Sequence, residues 1–269
     1  MEISASHSYV LDKLSPEERI ATFGKSAATH CHGHNYEIRV TIAGPIDPGG
    51  NWVINIKDLD QIMREVIDEQ LDHRHYNVEV PKLRDHWPTL ETLAPFIWEE
   101  MEPHLGSCRL HEVQVFESPD FFVEYQGDRT MVHLTRIYRF SAAHRLHNPT
   151  LSDVENRELF GKCNNLHGHG HDYTLEVTLA GEPDPRTDAI INVDVMDSIL
   201  KERILDLFDH VYLNLDTEAF RDLNPSAENM VIVFWDLLSG AFPPAKLHRL
   251  RLWETSKSYF DYYGPKVAA

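Results

Sequence analysis

Along the second half of the chain, apolar and polar residues alternate twice in quick succession. Tyr138, Phe140, Ala142 and His144 fall on one face of a first strand. Tyr173, Leu175, Val177 and Leu179 fall on one face of a second, which Gly181 ends. The period then changes. Between Val195 and Phe208 the apolar positions Met196, Ile199, Leu200, Ile204 and Leu207 have helical spacing. A second helix, Ser226 to Leu238, is announced by Asn224-Pro225. Alternation returns over Leu247 to Trp253 and Tyr259 to Tyr263 and predicts a closing hairpin.

The same order appears in the first half at an offset of 137 residues. The offset carries His7, His32, His34 and Tyr36 onto His144, His169, His171 and Tyr173. Phe23-Gly24-Lys25 falls on Phe160-Gly161-Lys162, Asp72-His73 on Asp209-His210, Glu91 on Glu228, and Glu117 on Glu254. One register held over more than a hundred residues is a tandem duplication. It predicts two domains, 1–129 and 130–269, each with the order strand, strand, helix, helix, strand, strand. Antiparallel strands with helices on one face give an α+β fold. Pro95 stands where the second copy has Ile232, so the first copy's last helix is expected to start late or kink.

The chain has 269 residues, and each half is long enough to bury its own core. No apolar run approaches a membrane span, and the N-terminus lacks the pattern of a signal peptide. Three cysteines, Cys31, Cys108 and Cys163, point to free thiols in a reducing, cytoplasmic setting. A formal charge of −18 argues against nucleic acid or an anionic membrane as partner. It also means that an anionic substrate needs a local basic pocket.

His169 and His171 are two apart on a strand and share a face, and His144 sits near the end of the preceding strand. Three imidazoles from adjacent strands suit a zinc site with one open position, and His7, His32 and His34 repeat the set. His167 and His30 also recur; a fourth ligand would close the site, so they are placed beside it. Cys163, six residues before His169, neighbours Lys162 and two asparagines. A thiol near a dication and a lysine is expected to have a lowered pKa and to act as base or nucleophile; a small buried hydrophobe is the alternative. The first copy has Ser26 there, a far weaker base. Asp209 next to His210, repeated as Asp72-His73, suggests a carboxylate orienting an imidazole for proton relay. Glu254, on an apolar strand face, calls for a ligand with two parallel N–H donors or for an intersubunit ion pair. Glu117 repeats it.

The segments FSAAHRL, LFGKCNNLHGHGHDY, FDHVYLN, NPSAEN and the final WET closely resemble the 6-pyruvoyltetrahydropterin synthase / 6-carboxytetrahydropterin synthase family. The likeness covers the second half fully and the first half more loosely. It implies two tandem tunnelling-fold (ββααββ) domains whose antiparallel sheets assemble into barrels with the helices outside. It implies Zn2+ on His144, His169 and His171, Cys163 as base, and Asp209 and His210 as a proton relay contributed by a neighbouring unit. Glu254, with Glu228 and Glu117, would bind the pterin. The implied reaction is triphosphate elimination from 7,8-dihydroneopterin triphosphate. Alternatives are a 6-carboxytetrahydropterin synthase of the deazapurine pathway, because Cys163 is four residues before the extra His167, and a non-catalytic zinc and pterin-binding module. The first half, with Ser26, is expected to keep metal and lose catalysis. Arg145, Lys162 and Lys257 are position-based candidates for the triphosphate. Three chains would supply six domains, so a homotrimer is expected.

Overall fold

The computed structural model describes residues 1–28, 30–128 and 130–265; Arg129, at the expected domain boundary, lies outside the described residues. The chain forms two compact units. One is Met1–Thr135 together with Ala180–Asp194; the other is Arg136–Leu179 together with Val195–Ala269.

The first unit contains β1 (Glu2–His7), α1 (Pro16–Phe23), β2 (His32–Ala43), α2 (Ile56–Met63), α3 (Leu90–Met101), β3 (Arg109–Ser118) and β4 (Phe121–Tyr125). Its sheet order is β1-β2-β3-β4, antiparallel throughout, and the register pairs His7 with His32 and Ala5 with His34. The second half repeats the pattern with β5 (Val132–His144), α4 (Asp153–Phe160), β6 (His169–Gly181), α5 (Val193–Leu200), β7 (Val211–Tyr212), α6 (Ala227–Leu238), β8 (Lys246–Thr255) and β9 (Ser258–Tyr262). Its order is β5-β6-β8-β9, and β7 pairs in parallel with β5. Among the described residues the sheet is not closed.

The alternation seen in sequence is the alternation of burial. Tyr173, Leu175, Val177 and Leu179 are all buried, as are Met230 and Phe234 on α6. Phe140 stacks on Tyr173 with ring centroids 5.1 Å apart and meets Phe234 edge-on at 5.8 Å. Each such aromatic contributes about 2–3 kcal/mol of burial.

Three local features depart from the sequence expectation. The helix containing Pro95 does not start late: α3 begins at Leu90, the counterpart of Ala227, with the Thr89 side chain capping the Thr92 N–H. Pro95 is the sixth helical residue, so its missing N–H deprives the Glu91 carbonyl of a helical partner. The predicted helix Val195 to Phe208 begins two residues earlier and carries a π-helical turn at Lys201–Leu205. Finally, α1 and α4 are extra helices between the first two strands of each half. Both start with a capping box, Ser15 with Glu18 and Ser152 with Glu155. Replacing Ser152 with alanine is expected to cost about 1 kcal/mol. A urea midpoint that does not move would show the cap to be inert.

Candidate active site

β5 and β6 bring three imidazoles together. His144 is fully buried at the end of β5, and His169 and His171 open β6. One ring nitrogen from each lies within 4.8 Å of the others. His144 Nδ1–H donates to the Pro225 carbonyl at 2.7 Å. That bond fixes the tautomer and leaves Nε2 as a bare lone pair, 3.1 Å from His169 Nε2. The buried Nε2 of His171 has no hydrogen-bond partner. Burial, with the two neighbouring histidines, pushes the His144 pKa down to about 4, against the pull of the Pro225 carbonyl. The imidazole is therefore neutral, the form that binds metal. Lone pairs that converge on one another, one of them orphaned, are unfavourable unless they share a cation. A three-nitrogen set with an open position fits a dication of the zinc type.

Glu254, at the end of β8, places Oε1 3.6 Å from His171 Nε2 and 3.7 Å from His144 Nε2. Both are beyond hydrogen-bond length, so the carboxylate borders the triad without satisfying it.

Cys163 lies in the 3-10 turn Gly161–Asn164 that follows α4, half-buried. It shares a cavity of about 850 Å³ with His169, Arg145, His147, Arg157 and Lys162. Thiol, triad edge and a cationic rim thus face one space. Of the basic residues expected from sequence, Arg145 and Lys162 are there and Lys257 is not. Arg157 and His147 join them without having been expected. Arg157 is on α4, a helix signalled only by its capping box. His167 is exposed, bonded through its N–H to Asn165 Oδ1, and outside the triad.

Asp209 and His210 do come together, with His210 Nδ1 2.8 Å from Asp209 Oδ1. Neighbouring residues achieve this because His210 has φ 58°. Asp209 Oδ1 also accepts the Ser141 N–H at 2.8 Å, and the His210 N–H donates to the Ser141 carbonyl at 2.6 Å. The pair does not line the Cys163 cavity. His210 borders a separate pocket with Ser141, His171, Asp172 and Tyr212.

The first half repeats the geometry of the histidine triad. His7, His32 and His34 form the second cluster, with His7 Nε2 2.9 Å from His32 Nε2 and a buried, unpartnered His34 Nε2. Glu117 Oε1 is 3.8 Å from His34 Nε2. His73 Nδ1 is 2.6 Å from Asp72 Oδ2. The outer contacts differ. His7 Nδ1 reaches Tyr76 Oη at 2.8 Å, and Tyr76 donates to the Pro88 carbonyl at 2.8 Å. Where the second half has Leu213, a phenol is inserted between histidine and carbonyl. At the positions of Arg145, His147, Arg157 and Cys163 stand Ser8, Val10, Ile20 and Ser26, so of this rim only a lysine, Lys25, remains. Tyr9, Leu14 and Trp87 form a buried cluster with Phe23 packed on it.

Glu228, at the head of α6, is exposed, whereas its counterpart Glu91 is buried and accepts the Ile190 N–H at 3.1 Å. Burial pushes the Glu91 carboxyl up from 4.5 to about 7, against the donors that bond it. The folded state then holds a proton that the unfolded chain has lost between these values. Stability is expected to fall as pH rises through that window, by up to ~3 kcal/mol, and to level off above it. Glu91→Gln should flatten this part of a urea-midpoint-against-pH curve. An unchanged slope would assign the effect elsewhere.

Comparison with known proteins places these geometries in a group. The family model described as 6-pyruvoyl tetrahydropterin synthase matches twice, over residues 1–128 and 133–265. A 6-pyruvoyl tetrahydrobiopterin synthase of Drosophila melanogaster is 42% identical over 140 residues, covering 52% of this chain and 83% of that one. The Homo sapiens protein of that name is 38% identical over 138 residues, covering 51% and 95%. The solved 6-pyruvoyl tetrahydropterin synthase of Caenorhabditis elegans is 39% identical, with a TM-score of 0.48, covering 50% of this chain and 96% of that one.

Proposed function

The chain belongs to the 6-pyruvoyl tetrahydropterin synthase family, and from that premise we propose that its second half eliminates triphosphate from 7,8-dihydroneopterin triphosphate to give a 6-pyruvoyl product. One observation carries the reading: the Cys163 thiol, the edge of a histidine triad and a rim of Arg145, Arg157, Lys162 and His147 share one cavity. In a chain of net charge −18, a basic rim around a thiol has a use if the substrate is a polyanion.

His144, His169 and His171 would hold the zinc ion, which when bound supplies Lewis acidity to the hydroxyl-bearing side chain of the substrate. Cys163, as thiolate, removes a proton from a side-chain carbon. The electron pair of that C–H bond forms a double bond to the neighbouring carbon, from which triphosphate leaves with the C–O pair. A further proton shift oxidises the side chain and reduces the pterin ring, so no external oxidant or reductant is needed. Arg145, Arg157 and Lys162 bind the triphosphate before and after it departs. Glu254 accepts two parallel N–H donors from the aminopyrimidinone edge, and Glu228 stands at the outer side of the pterin. Asp209 orients His210 for proton relay. Because the pair does not line the Cys163 cavity, it serves a site made with another unit. The first half, with Ser26 in place of the thiol, keeps a metal site (His7, His32, His34) and lacks turnover. Glu117, Asp72 and His73 persist there as remnants of the same machinery. Three chains, supplying six halves, are the proposed assembly.

The exposed position of His167, outside the triad, supports the pyruvoyl reading over the carboxytetrahydropterin one. Incubating zinc-loaded protein with 7,8-dihydroneopterin triphosphate and weighing the products tests this. Free triphosphate with a 6-pyruvoyl product is expected. A carboxylated product moves the chain to the deazapurine branch, and bound pterin without turnover makes it a binding module.

A further inference from the structure

The residue after Cys163 is a buried asparagine, 6% exposed, whose amide is directed at one neighbouring stretch of chain. Asn164 Nδ2 donates to the Leu146 carbonyl at 2.7 Å and to His147 Nδ1 at 3.1 Å. Asn164 Oδ1 accepts from Arg145 Nη2 at 3.3 Å, and the Asn164 carbonyl accepts from Arg145 Nε, also at 3.3 Å. The Leu146 N–H donates to the Cys163 carbonyl at 2.9 Å. Three consecutive residues just past β5 are thus tied to the turn Gly161–Asn164.

These bonds settle atoms that are otherwise ambiguous. An amide can be turned over, exchanging its nitrogen and oxygen. Here the Leu146 carbonyl can only accept and the guanidinium can only donate, so Nδ2 faces Leu146 and Oδ1 faces Arg145. The atom that reaches His147 is therefore a donor. His147 Nδ1 must accept, and the ring carries its hydrogen on Nε2. The His147 backbone is held too, its N–H donating to Asn224 Oδ1 at 3.1 Å. Asn214 clasps the Arg145 backbone, with Oδ1 accepting its N–H at 2.8 Å and Nδ2 donating to its carbonyl at 2.9 Å. A long side chain tied through two of its nitrogens has already given up part of the freedom that binding an anion would cost it.

His147 and Arg145 both line the cavity that holds Cys163. The first half lacks the whole arrangement. Ala27, Val10, Ser8 and Trp87 stand where the second half has Asn164, His147, Arg145 and Asn224. Positions far apart in sequence have changed as a set, in the half that also lacks the thiol.

We propose that Asn164 is the positioning residue of an anion subsite: through one amide it presents the His147 Nε2–H and the Arg145 guanidinium, already oriented, to a phosphate-bearing ligand beside Cys163. That this ligand is a triphosphate ester rests on the proposed function. The chemistry itself, an oxyanion met by a fixed N–H and a fixed guanidinium, can be read with inorganic tripolyphosphate. Asn164 acts through its two neighbours, so its loss should appear in anion binding and should shrink when a neighbour is already gone.

The test is calorimetric titration of the zinc-loaded full chain with inorganic tripolyphosphate, with zinc measured before and after each run. Asn164→Ala, which installs the first half's residue, is expected to weaken binding by at least ~10-fold, and His147→Leu, which removes the Nε2–H donor, by at least ~5-fold. In a His147→Leu background the Asn164→Ala loss should be smaller by at least ~3-fold, the mark of residues that act as a unit. An equal loss in both backgrounds overturns the proposal. So does His147→Leu binding as wild type, a result that holds even where Asn164→Ala does not fold. In steady-state kinetics with 7,8-dihydroneopterin triphosphate, Asn164→Ala should raise KM by more than it lowers kcat. A fall in kcat at unchanged KM would make Asn164 a support of the Cys163 turn alone and overturn the proposal. Wild-type protein that shows this binding pattern without turning over the pterin ester would remove the functional reading and leave the anion subsite standing.

Discussion

Cys163→Ala is expected to lower turnover of 7,8-dihydroneopterin triphosphate by about 10³-fold or more while bound metal and pterin affinity stay near wild type. A positioned base contributes some 10²–10⁴ in rate, and at this position nothing replaces it. The thiol lies in the Gly161–Asn164 turn and the metal-binding atoms lie on β5 and β6. Its loss therefore empties no coordination position. The proposed pterin contact, Glu254, lies at the far end of β8, so binding should survive as well. Cys163→Ser should fall nearly as far, because a hydroxyl is scarcely deprotonated at neutral pH; nature has placed that residue, Ser26, in the first half. The check is single-turnover kinetics beside metal analysis of the same sample. Activity within tenfold of wild type would remove Cys163 from the chemistry. Metal lost along with activity would make the thiol a ligand.

Much of this site is legible in the amino-acid sequence because its parts follow strand period. His169, His171, Tyr173, Leu175, Val177 and Leu179 lie on one face of β6 and differ only in whether they meet the site or the core. The offset of 137 residues turns each histidine into a pair of histidines, and a pair is hard to ascribe to chance. What stays hidden depends on backbone angles and on contacts distant in sequence. The close approach of His210 to Asp209 needs the left-handed backbone of His210. The tautomer of His144 is set by the carbonyl of Pro225, 81 residues away. The burial of Glu91 arises from the turn 180–194, which no pattern inside α3 announces. Arg157 escapes notice for a different reason. The capping boxes that start α1 and α4 are legible, but each helix is only eight residues long and buries at most one side chain, so the apolar period that marks longer helices is absent.

His144→Ala and His169→Ala should both lose metal and activity, and should differ in stability. Either change removes one of three nitrogen ligands, so zinc retained after dialysis is expected to fall well below one per site and turnover by at least ~10³-fold. His144, however, is fully buried at the end of β5 and gives its Nδ1–H to the Pro225 carbonyl just ahead of α6. Truncating it opens a cavity and leaves that carbonyl without its partner, a cost of about 2–4 kcal/mol even in metal-free protein. His169 is partly exposed and borders the open cavity, so in metal-free protein its truncation should cost less than about 1 kcal/mol. Urea unfolding of both variants after chelation separates the two contributions. Equal stability would mean that the buried bond to Pro225 is not what holds β5 to α6. Zinc retained by both variants would mean that the triad is not the metal site.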